Sequence, residues 1–134
     1  MISSASVMLV GVDEILRHVV KCFLRECWGA TATVVGAVDG GADAAARVWE
    51  LKPDVVMIDL GLGDPPGLEV LSQLRRMLPT AGIIALGRRK TAGYRDAAAQ
   101  AGADEFVVKA DVSEELFPAI HRVVRTRLPQ GAAA

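Results

Sequence analysis

The sequence predicts a three-layer α/β fold in which a five-stranded parallel sheet, in the strand order 2-1-3-4-5, lies between two layers of helices. Two observations support this prediction. Short apolar runs alternate five times with longer segments whose apolar residues recur at three- and four-residue spacing, which is typical of strands followed by amphipathic helices. The run Val55–Ile58 is apolar throughout, as expected for a parallel strand that helices cover on both faces. Right-handed crossovers then build one open sheet.

The first part of the chain supplies two strand–helix units. A continuous apolar run predicts the first strand at Val7–Val12. A helix is predicted from Glu14, because apolar residues follow at the helical period: Ile15, Leu16, Val19, Val20, Phe23 and Leu24. The second strand is predicted at Thr33–Val38 and the second helix at Ala42–Leu51. Pro53 ends that helix, since the residue before a proline disfavours helical geometry.

The middle of the chain repeats the unit. The run Val55–Asp59 predicts a third strand that is buried on both faces and ends on a carboxylate. Leucine and valine recur at helical spacing over Gly67–Leu78, which predicts the third helix, and Pro79 stops it. The apolar run Ile83–Leu86 predicts the fourth strand.

The last part of the chain completes the pattern. The fourth helix is predicted at Tyr94–Ala101, and Gly102 closes it, since glycine commonly follows a helix. The fifth strand is predicted at Glu105–Lys109. Asp111 is followed three residues later by a glutamate, which resembles a capping box and predicts a final helix that runs to about Leu128.

Length and charge indicate one domain and exclude several classes of function. The chain has 134 residues, so we expect one domain over residues 1–128, with residues 129–134 as a tail or the start of a linker. The formal net charge is −1 and only 4% of residues are aromatic. Both values argue against direct nucleic-acid binding by this domain. We expect no membrane-spanning helix, because no segment approaches about 18 consecutive apolar residues.

The cysteines and the first residues indicate the compartment. Cys22 and Cys27 lie five apart on a predicted helix, so their side chains point in different directions and a disulfide between them is not expected. Reduced cysteines suit the cytoplasm. The start Met1-Ile-Ser-Ser lacks the positive charge of a signal peptide. The sequence therefore predicts a cytoplasmic protein.

Three charged residues follow strands of the predicted sheet. Asp13 comes after the first strand, Asp59 ends the third and Lys109 ends the fifth. In the order 2-1-3-4-5 these ends are close together, and ligands of such sheets bind outside the carboxyl ends where the strand order reverses. A buried carboxylate is costly unless a partner, a metal or a reaction uses it. The predicted functional site is therefore this edge of the sheet, with Asp59 at its centre.

Several families share this flavodoxin-like architecture, and their loops distinguish them. Gly11-Val-Asp-Glu14 is acidic and has no hydroxyl, so it does not suit the phosphate of a flavin nucleotide. Gly61 stands where a cobalamin-binding domain has its histidine. A dinucleotide-binding loop needs Gly-x-Gly-x-x-Gly, and Pro66 stands at the position of the third glycine. All three matches are poor.

The receiver domain of two-component response regulators is a much better match. The segment from Pro53 to Leu71 resembles its third-strand signature, with the phosphoacceptor position at Asp59 and a glycine eight residues later at Gly67. Ala101-Gly-Ala-Asp-Glu-Phe-Val-Val-Lys109 resembles its fifth strand, with the family's lysine and its usual aromatic at Phe106. The resemblance covers about residues 7 to 128. Within the family, the chain is similar to the receivers of LuxR-type regulators.

The resemblance implies a Mg²⁺ site that this sequence does not reproduce. Receivers hold the ion with the acceptor aspartate and two acids at the end of the first strand. An arginine follows the second acid by five residues, and matching it to Arg17 puts Gly11 and Val12 at the two acid positions. A gapped alignment instead pairs Asp13 and Glu14 with the acids. We favour the ungapped alignment, and Mg²⁺ is then expected to bind weakly if it binds through Asp59 and Asp13.

Other positions also depart from the family pattern. The Ser/Thr that ends the fourth strand of a receiver is Gly87 here, and the following small residue is Arg88. Gly63 replaces a common proline. Asp59 therefore has two readings, as a usable phosphoacceptor assisted by Lys109 or as a carboxylate kept for an ion pair with Lys109 or Arg88. We expect Phe106 to be a packed aromatic rather than a moving switch.

The leading functional hypothesis is an atypical, non-enzymatic receiver domain of a two-component system. It would act through protein–protein interaction, with weak or absent phosphorylation at Asp59. The resemblance implies a histidine kinase or an effector domain as partner, and a homodimer through the face of the fourth helix, fifth strand and fifth helix. The alternatives are a conventional Mg²⁺-dependent phosphoacceptor that uses Asp13 and Glu14, and a domain that senses a small anion or metabolite through Lys109 and Arg88.

Overall fold

The structure, a computed structural model, describes residues 5–28, 32–61, 66–88 and 92–127. Five strands and five helices alternate along this part of the chain. The strands are β1 Ala5–Val10, β2 Ala32–Val38, β3 Val55–Asp59, β4 Gly82–Gly87 and β5 Glu105–Val108. The helices are α1 Glu14–Trp28, α2 Gly41–Leu51, α3 Gly67–Met77, α4 Ala92–Ala101 and α5 Val112–Arg127.

All five strands form one parallel sheet in the order β2-β1-β3-β4-β5. The predicted fold class and strand order are therefore confirmed. The central strand β3 is buried along its whole length, which explains why its sequence is apolar up to its last residue. β5 is an edge strand.

The helices cover both faces of the sheet and create two apolar cores. α1 and α5 pack on one face, where Leu16, Val20, Leu116 and Ile120 lie in one buried cluster. α2, α3 and α4 pack on the other face, where Val48, Leu71 and Ala98 belong to a second cluster. Alternate residues of β1 and β3 face the two clusters, so the strands hold the two layers together.

Most of the predicted element boundaries differ from the observed ones by one or two residues, and the differences at the ends of β1 and β5 affect the functional edge. β1 ends at Val10 rather than at residue 12, because Gly11 adopts a left-handed backbone with φ 71° that does not continue a strand. β5 ends at Val108, and Lys109 opens a short 3-10 turn, Lys109–Asp111, that leads into α5. The end predicted for α5 at Leu128 lies outside the described residues.

Arg75, near the end of α3, ties together two loops at the opposite edge of the sheet. Its guanidinium donates to the carbonyls of Leu78, Ala81 and Gly102 at 3.1, 2.7 and 2.9 Å. It also forms an ion pair with Asp104 at 2.7 Å. The planar guanidinium can satisfy several acceptors at once, so this one side chain fixes the α3–β4 and α4–β5 connections relative to each other.

No helix in the described part of the chain is long and apolar enough to cross a membrane.

Candidate functional site

Asp59 ends β3 as a buried carboxylate with a partner for each oxygen. The ammonium of Lys109 donates to Oδ2 at 2.6 Å, and the backbone N–H of Gly61 donates to Oδ1 at 2.7 Å. The Asp59 side chain is 9% exposed and that of Lys109 29%. Burial of the charge is therefore compensated by one ion pair and one backbone hydrogen bond.

The neighbouring end of β1 brings no carboxylate to Asp59. β1 pairs with β3 so that Val10 lies opposite Ile58, and the next residue, Gly11, is then level with Asp59. Val12 is 1% exposed and belongs to the core under α1 and α5. The two positions between the end of β1 and the start of α1 thus hold a residue without a side chain and a buried apolar residue.

Asp13 has a local structural role at the start of α1. Its Oδ1 accepts a hydrogen bond from the backbone N–H of Leu16 at 2.8 Å, which is the contact of a helix N-cap. Asp13 and Glu14 are both exposed. Within the described part of the chain, the Asp13 carboxylate therefore caps the helix that follows it and makes no contact with Asp59.

Arg17 fixes the loop between β1 and α1 from the first turn of the helix. Its Nε donates to the carbonyl of Val12 at 2.7 Å, and its guanidinium forms an ion pair with Asp39, after β2, at 2.5 Å. The arginine therefore stands immediately beside the loop that the ungapped alignment assigns to the two acids.

Gly87 ends β4 beneath the ring of Phe106. A Cβ atom placed on Gly87 would lie 2.7 Å from Cζ and 2.9 Å from Cε1 of Phe106, and 3.2 Å from Cε1 of Tyr94. The two separations from Phe106 are too short for non-bonded carbon atoms, which are in contact at about 3.5–4.0 Å, and the separation from Tyr94 is tight. The Phe106 ring therefore occupies the space in which a side chain at position 87 would stand.

Phe106 is held by the first turns of α4. The ring is buried at 7% exposure, and its centroid lies 5.7 Å from that of Tyr94. The Arg95 guanidinium lies 5.1 Å from the Phe106 centroid, within the range of a cation–π interaction. Arg95 also donates to the carbonyl of Phe106 at 3.5 Å. The expectation that Phe106 is a packed aromatic thus agrees with its burial.

The remaining predicted positions are more peripheral. Arg88 follows β4 and is exposed, and within the described residues it makes no hydrogen bond or ion pair. The cation that contacts Asp59 is therefore Lys109. Gly67, the glycine eight residues after Asp59, opens α3 against the backbone of Leu60, where an added Cβ would lie 2.6 Å from the Leu60 Cα. Gly63 lies outside the described residues.

An ion pair at the surface connects the edge strand β5 to α5. Arg122 of α5 donates to Glu105 of β5 at 2.8 Å. This hydrogen bond, together with the charges of Glu105 and Glu115, raises the pKa of the Arg122 guanidinium above its ordinary value. The ion pair with Glu105 therefore favours the charged form of Arg122.

This geometry defines a class of protein, a receiver-type α/β signalling domain with an Asp–Lys pair at the carboxyl edge of its sheet. The sequence model described as the response regulator receiver domain matches residues 7–121. The chain belongs to this family, as the resemblance in its motifs predicts.

Individual relatives agree with the family. Over 85 residues the chain is 40% identical to the transcriptional regulatory protein KdpE of Mycobacterium tuberculosis, a match that covers 63% of this chain and 37% of KdpE. Over 121 residues it is 28% identical to the response regulator protein VraR of Staphylococcus aureus, covering 89% of this chain and 56% of VraR. The chain thus spans about a third to somewhat over half of the length of these relatives.

A solved structure with a similar fold is also that of a response regulator. It is a LuxR-family two-component response regulator from Aurantimonas sp. SI85-9A1, which is 28% identical to this chain with a TM-score of 0.82. The alignment covers 93% of this chain and 88% of that one.

Receiver domains typically bind Mg²⁺ at the phosphorylation site, and the residues that the structure describes at this edge do not fit such a site. Mg²⁺ prefers several oxygen ligands in octahedral geometry. The described residues contain no group of three or more His, Cys, Asp or Glu side chains placed to hold a metal. Gly11 and Val12 offer no side-chain oxygen, and Asp13 caps α1. Among the described residues, Asp59 is the one carboxylate in contact with Lys109.

Sequence reasoning missed three contributors to the site. The Gly61 N–H that binds Asp59 is a backbone group, and no residue type signals it. The role of Tyr94 beside Phe106 depends on how α4 packs on β5. The pairing of Arg17 with Asp39 was also missed, although an acid directly after the second strand and a basic residue in the first helix are both visible in the sequence.

Proposed function

We propose that this chain is an atypical receiver domain that signals by binding a protein partner, with weak or absent phosphorylation at Asp59. The observation that supports the proposal most directly is that Gly11 and the buried Val12 follow β1 beside Asp59, so that neither position offers a carboxylate. A phosphoryl group carries about two negative charges, and its transfer to a carboxylate needs cations that neutralise the transferring oxygens. Among the described residues, Lys109 is the one cation in contact with Asp59.

The same site gives less support to a conventional receiver that uses Asp13 and Glu14. Both side chains are exposed, and the Asp13 carboxylate accepts the Leu16 N–H. The anion-sensing alternative needs Lys109 and Arg88 to face one ligand. Lys109 is paired with Asp59, and Arg88 is exposed after the end of β4. No contact among the described residues favours either alternative over the leading proposal.

The partner surface in this proposal is the face formed by α4, β5 and α5, as the family resemblance implies. Its described side chains include Arg95, whose guanidinium covers the Phe106 ring, and the Glu105–Arg122 ion pair. β5 is the edge strand of the sheet, so this face is the place where a second copy or an effector domain can extend the contact. A histidine kinase or an effector domain is the class of partner.

Intact mass spectrometry tests the phosphorylation part of the proposal. The chain is incubated with Mg²⁺ and acetyl phosphate beside Asp59→Asn, with a conventional receiver domain as the positive control. We expect the positive control to gain one phosphoryl group while this chain stays unmodified or is modified only to a small extent. Stoichiometric addition that disappears in Asp59→Asn would overturn the proposal.

Sedimentation analysis tests the partner surface in its simplest form, a homodimer. We expect self-association to persist in Asp59→Asn and to weaken in Arg95→Glu, which reverses a charge on the proposed face. Arg25→Glu on α1 is the matched control, because Arg25 is exposed and lies beside β2, the strand farthest from β5 in the sheet. Equal weakening by Arg25→Glu and Arg95→Glu would remove the support for this surface.

A further inference from the structure

The contact between Gly87 and Phe106 connects the carboxyl edge of the sheet to the α4–β5 surface. Gly87 ends β4, the strand between β3 and β5, and the Phe106 ring lies where a side chain of residue 87 would be. On its other side the ring contacts Tyr94 and Arg95 of α4. The position of the ring therefore determines how the first turns of α4 sit on β5.

Asp59 has no side-chain connection to this ring in the described part of the chain. The hydrogen bonds recorded for its carboxylate go to Gly61 and Lys109. Gly87, the residue of β4 next to the site, contributes only backbone atoms. A change at Asp59 can therefore reach Phe106 neither through a side chain at residue 87 nor through a hydrogen bond of the carboxylate.

The ring also has little reason to leave its place. It is buried, and burial of a phenylalanine side chain is worth about 2–3 kcal/mol relative to exposure. The Tyr94 ring and the Arg95 guanidinium add an aromatic pair and a cation–π interaction. Moving Phe106 outward would lose these contacts and leave an empty space above Gly87, which has a further cost.

We propose that Gly87, because it has no side chain, provides the space in which the Phe106 ring is held inward. The α4–β5 surface then keeps one conformation whatever the state of Asp59. This rests on the proposed function in one respect, that the α4–β5–α5 face binds the partner. The new element of the proposal concerns how partner binding is regulated. Binding through this face depends on the amount of the domain, and a change at Asp59 does not turn it on or off. Gly87 then determines the conformation of the α4–β5 surface. Replacement of Gly87 should change that conformation, and replacement of Asp59 should leave it unchanged.

Fluorine NMR of the single tyrosine tests this directly. Tyr94 is the only tyrosine of the chain, so incorporation of fluorotyrosine gives one resonance, from a ring that touches Phe106. We compare the wild-type chain with Asp59→Asn, which keeps the shape of the side chain, and Asp59→Leu, which removes both of its hydrogen bonds. Gly87→Ala adds the Cβ atom that meets the ring, and Phe106→Leu with Gly87→Ala relieves that contact.

We expect both Asp59 variants to leave the Tyr94 resonance within its linewidth and Gly87→Ala to move it by more than a linewidth. Added to Phe106→Leu, Gly87→Ala should move the resonance less than it does in the wild-type chain, since the Phe106 ring is gone and only the contact of the new Cβ with Tyr94, at 3.2 Å, remains. Gly40→Ala is the matched control, because a Cβ there meets nothing within 4 Å. An unmoved resonance in Gly87→Ala, or an Asp59 variant that moves it as far, overturns the proposal.

Two further outcomes are also decisive. If Gly87→Ala does not fold, folding of the Gly87→Ala, Phe106→Leu double variant supports the proposal, and its failure to fold overturns it, because the obstacle is then not the ring. If the mass measurement finds Asp59 phosphorylated, the proposed function fails. The resonance of the phosphorylated chain then decides this inference separately, with an unmoved resonance in its favour.

Discussion

The ammonium of Lys109 lies 2.6 Å from Oδ2 of Asp59, although β4 lies between β3, which ends at Asp59, and β5, which Lys109 follows. The contact spans the carboxyl edge of the sheet at the level where β4 ends in Gly87. The pair differs in burial, since the Asp59 side chain is 9% exposed and the Lys109 side chain 29%. Removal of either partner should therefore have unequal effects.

We expect Lys109→Met to lower the free energy of unfolding by about 2 kcal/mol, because it leaves a buried carboxylate with one hydrogen bond from Gly61. Asp59→Asn should cost less, since Lys109 can then turn toward water. The two substitutions together should cost less than the sum of the single effects, with a coupling energy of about 1–2 kcal/mol. Urea unfolding of the four chains measures this cycle, and purely additive effects would contradict a direct pair.

Asp13 provides a test that separates a helix cap from a metal ligand. Asp13→Ala should lower the free energy of unfolding by about 1 kcal/mol, because the Leu16 N–H loses its acceptor. Asp13→Asn should retain most of that stability, since the asparagine oxygen also caps helices but carries no charge. Thermal unfolding measures both. An asparagine variant as unstable as the alanine variant, at low Mg²⁺ concentration, would argue against the cap.

The fold was predictable from the sequence because its signals are local and repeated. The apolar run Val55–Asp59 and the helical period before Pro79 each specify one element, and together such elements permit few arrangements of a parallel sheet. The misplaced end of β1 has a physical cause. Apolar residues continue to Val12, but Gly11 takes a positive φ, and an apolar pattern does not reveal a backbone turn inside it.

The site was predictable only as far as single positions go. Asp59 and Lys109 were expected at one edge of the sheet, and the structure brings them together. The position of the Phe106 ring over Gly87 was not foreseen, because it depends on the packing of three elements rather than on the spacing of residues. Arg88 was considered as a partner for Asp59, and among the described residues it makes no such contact.

Gly11 is the position at which a metal ligand can be restored at the lowest cost. It lies level with Asp59 by the pairing of β1 with β3, and aspartate is among the residues that tolerate a left-handed backbone. We expect Gly11→Asp to acquire a Mg²⁺-dependent stabilisation of about 1–2 kcal/mol when Mg²⁺ is about tenfold above its dissociation constant. The wild-type chain should show none.

Thermal unfolding in a Mg²⁺ titration measures this difference. Gly11→Asn is the matched control, since it has nearly the same shape and the same backbone demand but no charge. A melting temperature that rises equally in the wild type and in Gly11→Asp would mean that the native chain already holds the ion. That result would contradict the conclusion that its residues do not fit a Mg²⁺ site.

Arg75 should be the most important charged side chain for stability outside the functional edge. It donates to the carbonyls of Leu78, Ala81 and Gly102 and pairs with Asp104, so Arg75→Ala removes several partly buried hydrogen bonds at once. We expect a loss of about 3 kcal/mol in the free energy of unfolding, because each acceptor left without a donor costs about 1 kcal/mol or more.

Arg75→Lys should recover little of this loss, since a lysine ammonium lacks the planar arrangement of donors that reaches acceptors on two loops. Arg76→Ala on the same helix is the matched control and should change the free energy by less than about 0.5 kcal/mol, as is usual for an exposed residue. Urea unfolding compares the three variants. If Arg75→Ala and Arg76→Ala were equally stable, the hydrogen bonds of Arg75 would be replaced by water without loss, and the two loops would not depend on it.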